Sequence, residues 1–193
     1  MKKLKTIINL IFFITFFLLV NLNSHAEILK NIKINGNSRI ADETIFSFLS
    51  IKINDNLTAD KINQVTKDLY ETNFFKNVSL QFTNNELIIN IIENPIIQNI
   101  IYNGIKSNTL LESVINDVNL IERSSYVELY LEEDISLMSE NLKNRGYYFS
   151  NIISKIEYLE DNKLNLIFDI ELGNKAKIKK ITFIGNKVFK DSK

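Results

Sequence analysis

The sequence predicts an α+β fold made of two consecutive copies of one β-α-α-β-β module, each a three-stranded mixed sheet covered by two helices. Three observations carry this. Short segments alternate apolar and polar residues with the period of a half-buried strand. Between them lie apolar residues at i, i+3, i+4 spacing, the mark of one buried helical face. The whole order of events then recurs roughly 70 residues later.

In the first module the strand signal begins at Ile28. Ile32 and Ile34 point one way, Lys33 and Asn35 the other, and Gly36-Asn37 ends the strand. Asp42 and Glu43 favour a helix N-terminus through the backbone dipole, and Ile45, Phe48 and Leu49 form its apolar stripe. Asn54 to Asn56 breaks that helix, and Thr58 is placed to cap the next one. Ile62, Val65 and Leu69 form the second stripe, while Lys61, Asn63, Gln64 and Lys67 face water; the helix runs out near Phe74-Phe75. Val78, Leu80 and Phe82 alternate with Ser79, Gln81 and Thr83 as a half-buried strand. Thr83-Asn84-Asn85 makes a turn, and Leu87 to Ile92 returns as a strand apolar on both faces.

The second module repeats these positions. Ile100, Tyr102 and Gly104 follow Ile32, Ile34 and Gly36 by 68 residues. Leu111, Val114 and Ile115 follow Ile45, Phe48 and Leu49 by 66, and Ile135, Met138 and Leu142 follow Ile62, Val65 and Leu69 by 73. Gly146 stands where a helix C-cap is expected, with Lys143 and Arg145 in the preceding turn. A strand from Ile152 to Tyr158, a turn at Glu160-Asp161-Asn162 and a long alternating strand through Leu164, Leu166, Phe168, Ile170 and Leu172 complete it. Ile181, Phe183 and Gly185 then repeat Ile100, Tyr102 and Gly104 after 81 residues, and the sequence ends at Lys193. The reading is residues 27–94 for the first module, 95–173 for the second, and 174–193 for the start of an incomplete third. The sequence is thus expected to be truncated. Asn94-Pro95 leaves almost no linker, so the two modules are expected to be closely coupled.

In each module the last strand is the most apolar and is expected at the centre of the sheet. The strand before it, Asn77 to Thr83 or Ile152 to Tyr158, is then an edge. An edge strand offers unpaired N–H and C=O groups to another chain. The residues singled out as a partner-binding surface are Val78, Ser79, Leu80, Gln81 and Phe82, and Ile152, Ile153, Ser154, Lys155 and Ile156. The plainer reading is that Gln81, Lys155 and Glu157 solvate a protected edge.

Residues 1–26 stand apart. Lys2, Lys3 and Lys5 precede an apolar run from Ile7 to Val20, and a short polar tail ends in Ser24-His25-Ala26. This is the layout of a secretory signal peptide cleaved after Ala26. Fourteen helical residues would reach about 21 Å across roughly 30 Å of hydrocarbon, which is short for a permanent anchor. Cleavage leaves 20 basic against 23 acidic residues, a net charge of −3, and removes the only histidine; the sequence contains no cysteine. An exported chain of this kind is stabilised by packing and not by disulfides, and its charge gives no reason to expect a nucleic-acid partner.

Without His and Cys, the usual nucleophile, general-base and zinc options are missing. The five glycines are scattered and form no phosphate loop. Glu132-Glu133-Asp134 is read as a helix start serving the dipole, since adjacent helical side chains do not converge. Ser124-Ser125 has no base nearby in sequence. Phe74-Phe75 and Tyr147-Tyr148 are read as core plugs, and Lys175, Lys177, Lys179 and Lys180 as a solvated linker, with an acidic partner or lipid headgroups as the rival. No catalysis, cofactor or metal is expected.

With this repeat in place, the chain resembles the periplasmic region of the BamA family of outer-membrane β-barrel assembly factors, which is built from POTRA modules. Glu93-Asn94-Pro95 followed by IIQNIIYNG is similar to the family's module junction. TNFFKNV (Thr72 to Val78), GYYFSNI (Gly146 to Ile152) and ITFIGNKVF (Ile181 to Phe189) are similar to its other recurring stretches. The resemblance implies a non-enzymatic scaffold on the periplasmic face of the outer membrane. Its implied partners are nascent outer-membrane β-barrel proteins, accessory lipoproteins and periplasmic chaperones, met partly by β-augmentation, with membrane attachment through a C-terminal barrel absent from this sequence. Three alternatives stay open. A two-partner secretion transporter typically has only two modules, against which the third start argues. A cell-division protein with one module behind an uncleaved anchor is disfavoured by the repeat. From a different class, the chain is the export-linked N-terminal part of an enzyme whose catalytic domain is missing.

Overall fold

The structure is a computed structural model and describes residues 27–182. The signal segment 1–26, together with Phe183 and Gly185 of the third repeat start, lies outside the described residues. Among the described residues no helix is long and apolar enough to cross a membrane.

Residues 27–93 form β1 (Glu27–Ile28), β2 (Asn31–Asn35), α1 (Asp42–Phe48), β3 (Asn56–Leu57), α2 (Ala59–Glu71), β4 (Phe75–Thr83) and β5 (Glu86–Glu93). Residues 96–171 form β6 (Ile96–Asn103), α3 (Asn108–Val114), α4 (Glu128–Asn144), β7 (Asn151–Leu159) and β8 (Lys163–Glu171). Each unit has a three-stranded mixed sheet, ordered β2-β5-β4 in the first and β6-β8-β7 in the second. The central strand runs parallel to the first strand and antiparallel to its hairpin partner in both. Two helices cover one face, so the architecture is the expected two-layer α+β module, twice over.

The apolar stripes build the two cores. Ile45, Val65 and Leu69 pack on Leu87, Ile89 and Ile91 in the first, and Val114, Met138 and Leu142 on Leu164, Leu166 and Phe168 in the second. Thr58 caps α2 by accepting from the Lys61 N–H. Helix α4 ends in a Schellman turn at Gly146, with Gly146 N donating to Lys143 O and Tyr147 N to Leu142 O.

The recurring strand-end glycine has a specific cause. Gly36 and Gly104 have φ of 91° and 92°, and a Cβ there would lie 2.2 Å from Ile91 O and 1.8 Å from Ile170 O respectively. The first strand leaves each sheet by crossing directly over the backbone of the central strand, and only glycine fits.

The structure departs from several expectations. The strand expected to start at Ile28 is two pieces. Leu29 turns fully inward between them, held by Leu29 N to Asp55 O and Asn54 N to Leu29 O, which pairs β1 with β3 in a small extra sheet. The central strand β5 is not buried on both faces. Leu87, Ile89 and Ile91 are buried while Ile92 is 56% exposed, because helices cover one face only. Phe75 is a core plug as expected, but Tyr148 is 58% exposed, as the turn after Gly146 carries it off the sheet. Glu132-Glu133-Asp134 is not a helix start: α4 begins about one turn earlier, at Glu128, and Asp134 is buried.

Candidate functional site

Both strands singled out from the sequence are edges: β4 and β7 each pair on one side only, with β5 and β8. In an antiparallel ladder alternate residues turn their N–H and C=O toward the partner strand, and those between turn them outward. Val78 marks the phase, because its N–H donates not to β5 but to the Tyr70 hydroxyl at 3.1 Å. The outward groups of β4 therefore belong to Val78, Leu80 and Phe82. Val78 sits opposite Ile91, the residue touched by Gly36, and Ile152 sits opposite Ile170, the residue touched by Gly104. This equivalence gives β7 the outward residues Ile152, Ser154, Ile156 and Tyr158.

The ten predicted residues thus divide by role. Val78, Leu80, Phe82, Ile152, Ser154 and Ile156 carry the free backbone edge and turn their side chains toward the helices. Ser79, Gln81, Ile153 and Lys155 use their backbone groups inside the sheet and carry side chains on its open face. Two charged side chains of β7 on that face have polar partners on β8. Lys155 Nζ lies 2.6 Å from Asp169 Oδ2, and this bond, with one from Asn103, holds the Asp169 carboxyl below its ordinary value. Asn165 Nδ2 donates to Glu157 Oε2 at 3.1 Å.

The second module also has an edge at β6, and the sequence carries a signal of how it is covered. The repeat offset jumps from 66 to 73 between the two helices, an insertion of seven residues. The longer loop this creates lies along β6. Arg123 N donates to Ile97 O at 2.8 Å, Ile97 N to Ser124 O at 2.9 Å, and Ile100 N to Glu122 Oε1 at 3.1 Å. Asp134 holds the loop in place, its carboxylate accepting from Asn119 N, Asn119 Nδ2 and Leu120 N at 2.8–2.9 Å. The insertion covers β6 from Ile96 to Ile100, and among the described hydrogen bonds β7 has no such cover. Behind it Tyr102 stacks on Phe168, ring centres 5.3 Å apart, and burial, reinforced by Asp134 and Glu122, pushes its hydroxyl pKa up to about 12.

A second buried carboxylate organises the first module. Glu93 Oε1 accepts from the N–H groups of Ser38, Arg39 and Ile40, each at 3.0 Å, and Oε2 lies 3.5 Å from Arg39 Nε. The entry to α1, which has no side-chain cap of its own, is fixed this way.

The junction follows directly. Asn73, in the left-handed region at φ 60°, ends α2; its carbonyl accepts from Asn94 Nδ2 at 2.9 Å and its side chain meets the Tyr130 hydroxyl at 3.3 Å. Asn162, in the β7–β8 turn, donates to Glu93 O at 3.2 Å, and Tyr126 N donates to Pro95 O at 2.8 Å. Between the modules lies a cleft of about 340 Å³ whose aromatic lining includes Tyr70, Phe75, Tyr126 and Tyr158. Burial, with Glu128 and Tyr158 nearby, raises the Tyr126 hydroxyl pKa, so it stays a neutral hydrogen-bonding group.

Among the described residues no group of His, Cys, Asp or Glu could hold a metal ion, and the Ser124 hydroxyl is spent on Ile121 O. Two small α+β modules in tandem, each with a three-stranded mixed sheet, define the class of architecture. The chain belongs to the POTRA family, described as surface antigen variable number repeat, whose model matches residues 28–94 and 95–173. It is 26% identical over 167 residues to the outer membrane protein assembly factor BamA of Neisseria meningitidis serogroup B, a match covering 86% of this chain and 21% of that protein. It is 25% identical over 172 residues to the protein of the same name from Neorickettsia risticii, covering 86% and 22%. The chain spans about a fifth of the length of these relatives. Among solved structures, the N-terminal domain of Omp85 from Thermosynechococcus elongatus is similar with a TM-score of 0.48 at 14% identity, covering 74% of this chain and 62% of that one.

Proposed function

We propose that this chain is a non-catalytic docking array of an outer-membrane protein assembly factor, held on the periplasmic side and meeting unfolded β-barrel proteins through its sheet edges. The observation that carries the reading is the outward backbone ladder of β4 and β7, set on a POTRA-family chain whose relatives are named outer membrane protein assembly factors. Unfolded barrel proteins are chains of alternating strands, and a free edge pairs with such a chain through backbone hydrogen bonds that do not depend on side-chain identity. Export through the N-terminal segment, with cleavage after Ala26, puts the modules where those chains pass. Accessory lipoproteins and periplasmic chaperones are the further partners of this reading, and attachment to the membrane runs through a barrel beyond this sequence.

The test uses a urea-unfolded outer-membrane barrel protein diluted into the purified chain carrying a photo-crosslinking residue at position 154. The expected result is delayed aggregation of the barrel protein and an adduct identified as that protein by mass spectrometry. Equal protection of an unfolded soluble protein of the same length, with no adduct to the barrel protein, overturns the reading.

A further inference from the structure

The hairpin edges β4 and β7 look alike in sequence but differ at one atom. The Tyr70 hydroxyl, from the last turn of α2, accepts from Val78 N at 3.1 Å and lies 3.4 Å from Asn77 Oδ1, to which it can donate. It thereby occupies one of the three outward N–H groups of β4, and its ring stands over that end of the strand. The residue that repeats Tyr70 after 73 positions is Lys143, which has no such hydroxyl. Among the described hydrogen bonds none caps the outward N–H of Ile152, Ser154, Ile156 or Tyr158.

The far end of β7 adds a second difference. Tyr158 is 69% exposed and lines the cleft between the modules with Tyr70, Phe75, Tyr126 and Leu129, the last itself 63% exposed. A residue paired directly across an antiparallel ladder has its Cβ about 5 Å from its neighbour's and on the same face of the sheet. In a strand added to β7, the residue opposite Tyr158 therefore turns its side chain to the mouth of that cleft. Lys155 is paired with Asp169, and Glu157 accepts a hydrogen bond from Asn165, so the open face adds little to partner choice beside the backbone and the cleft. The unpaired backbone calls for an extended chain, and the aromatic cleft for a large apolar side chain at one fixed position.

We propose that the two edges are not equivalent: β7 and the inter-module cleft together receive an extended segment of another polypeptide carrying a large apolar side chain opposite Tyr158, while Tyr70 holds β4 closed. This rests on the docking reading above and names which surface of the chain performs it. Four outward N–H groups are available on β7 and two on β4, and two fewer backbone bonds correspond to ~30-fold weaker pairing. Burying an aromatic side chain in the cleft adds a further ~10-fold or more to β7 alone.

The experiment is an NMR titration of the whole chain with a synthetic nine-residue peptide of alternating Thr and Val carrying one Phe, compared with the same peptide carrying Ala in its place. Expected are shifts at Ile152 to Tyr158 first, with Leu80 and Phe82 responding only at ~30-fold higher peptide concentration. The Ala peptide should lose ~10-fold at β7 and nothing at β4. Tyr70→Phe keeps the ring and removes the hydroxyl, and should raise β4 binding several-fold while leaving β7 unchanged. Ser154→Pro removes an outward N–H without touching the β7–β8 ladder, and should abolish β7 binding. Hydrogen exchange of the unaltered chain gives an independent readout: the Val78 amide should be protected while those of Leu80, Phe82 and Ser154 exchange freely. Equal peptide affinity at both edges, no effect of Tyr70→Phe on β4, or equal exchange at Val78 and Leu80 overturns the inequivalence. Absence of binding at both edges overturns the docking reading itself.

Discussion

Replacing Glu93 by Gln tests whether a single carboxylate holds the first module's entry and the junction beside it. One oxygen accepts three backbone N–H bonds at 3.0 Å, and the other lies 3.5 Å from Arg39 Nε. Hydrogen bonds to an ionised acceptor are worth roughly 1.5–3 kcal/mol against about 0.5–1.5 for neutral ones. Gln keeps an acceptor of the same shape but loses about 1 kcal/mol at each of the three bonds and turns an NH2 group toward Arg39, so the cost is about 2–3 kcal/mol. For a module of this size each kcal/mol moves the midpoint by about 4–8 °C, predicting a loss of roughly 8–24 °C. The pH dependence separates charge from shape. Burial, the largest influence on Glu93, pushes its pKa up, but the N–H bonds of Ile40, Ser38 and Arg39 and the Arg39 charge outweigh it, and the net shift is downward. A depressed folded pKa contributes stability above the unfolded value of about 4.3 and loses it as pH falls through the lower folded value. The difference between wild type and Glu93→Gln should therefore be full at neutral pH and shrink below about pH 4. Thermal unfolding by circular dichroism across that range is the assay. A midpoint loss of less than about 2 °C at neutral pH, or an equal loss at both ends of the range, refutes the reasoning.

Three further perturbations follow from the same structure. Gly104→Ala should cost at least about 3 kcal/mol, since its Cβ would meet Ile170 O at 1.8 Å, whereas Gly146→Ala, with the same φ of 92° but a nearest contact of 3.4 Å, should cost only about 1 kcal/mol; denaturant unfolding checks the ranking. Asp134→Asn should destabilise the second module by about 2–4 kcal/mol and free the loop that covers β6, read as faster hydrogen exchange at the Ile97 and Ile100 amides. Tyr130→Phe removes the contact to Asn73 across the junction; unfolding should change by less than about 1 kcal/mol while residual dipolar couplings show the two modules losing their common alignment.

Much of the fold was legible in the sequence because periodicity reports which face of an element is buried. Ile62, Val65 and Leu69, or Leu164, Leu166 and Phe168, need no tertiary information to be placed on one side of a helix or strand. The strand order was legible for the same reason, since the most apolar strand has to sit in the middle. The strand-end glycines were visible as repeats, but their reason, the close crossing over Ile91 O and Ile170 O, was not.

The sequence by itself determined the module, its repetition, the central strand and the identity of β4 and β7 as edges, all of which depend on local pattern and count. Only the tertiary structure decided which edges are open. Asp134 reads as one acid among three until the loop from Asn119 folds onto it. The seven-residue insertion is a change of offset until it lies along β6. Tyr70 is an ordinary exposed helical residue until its hydroxyl meets the Val78 N–H. Each of these is a hydrogen bond between groups whose partner is not implied by their own spacing. Periodicity carries the hydrophobic pattern, which is nondirectional and repeats along the chain, whereas a directional bond to one atom is fixed only when the chain has closed around it.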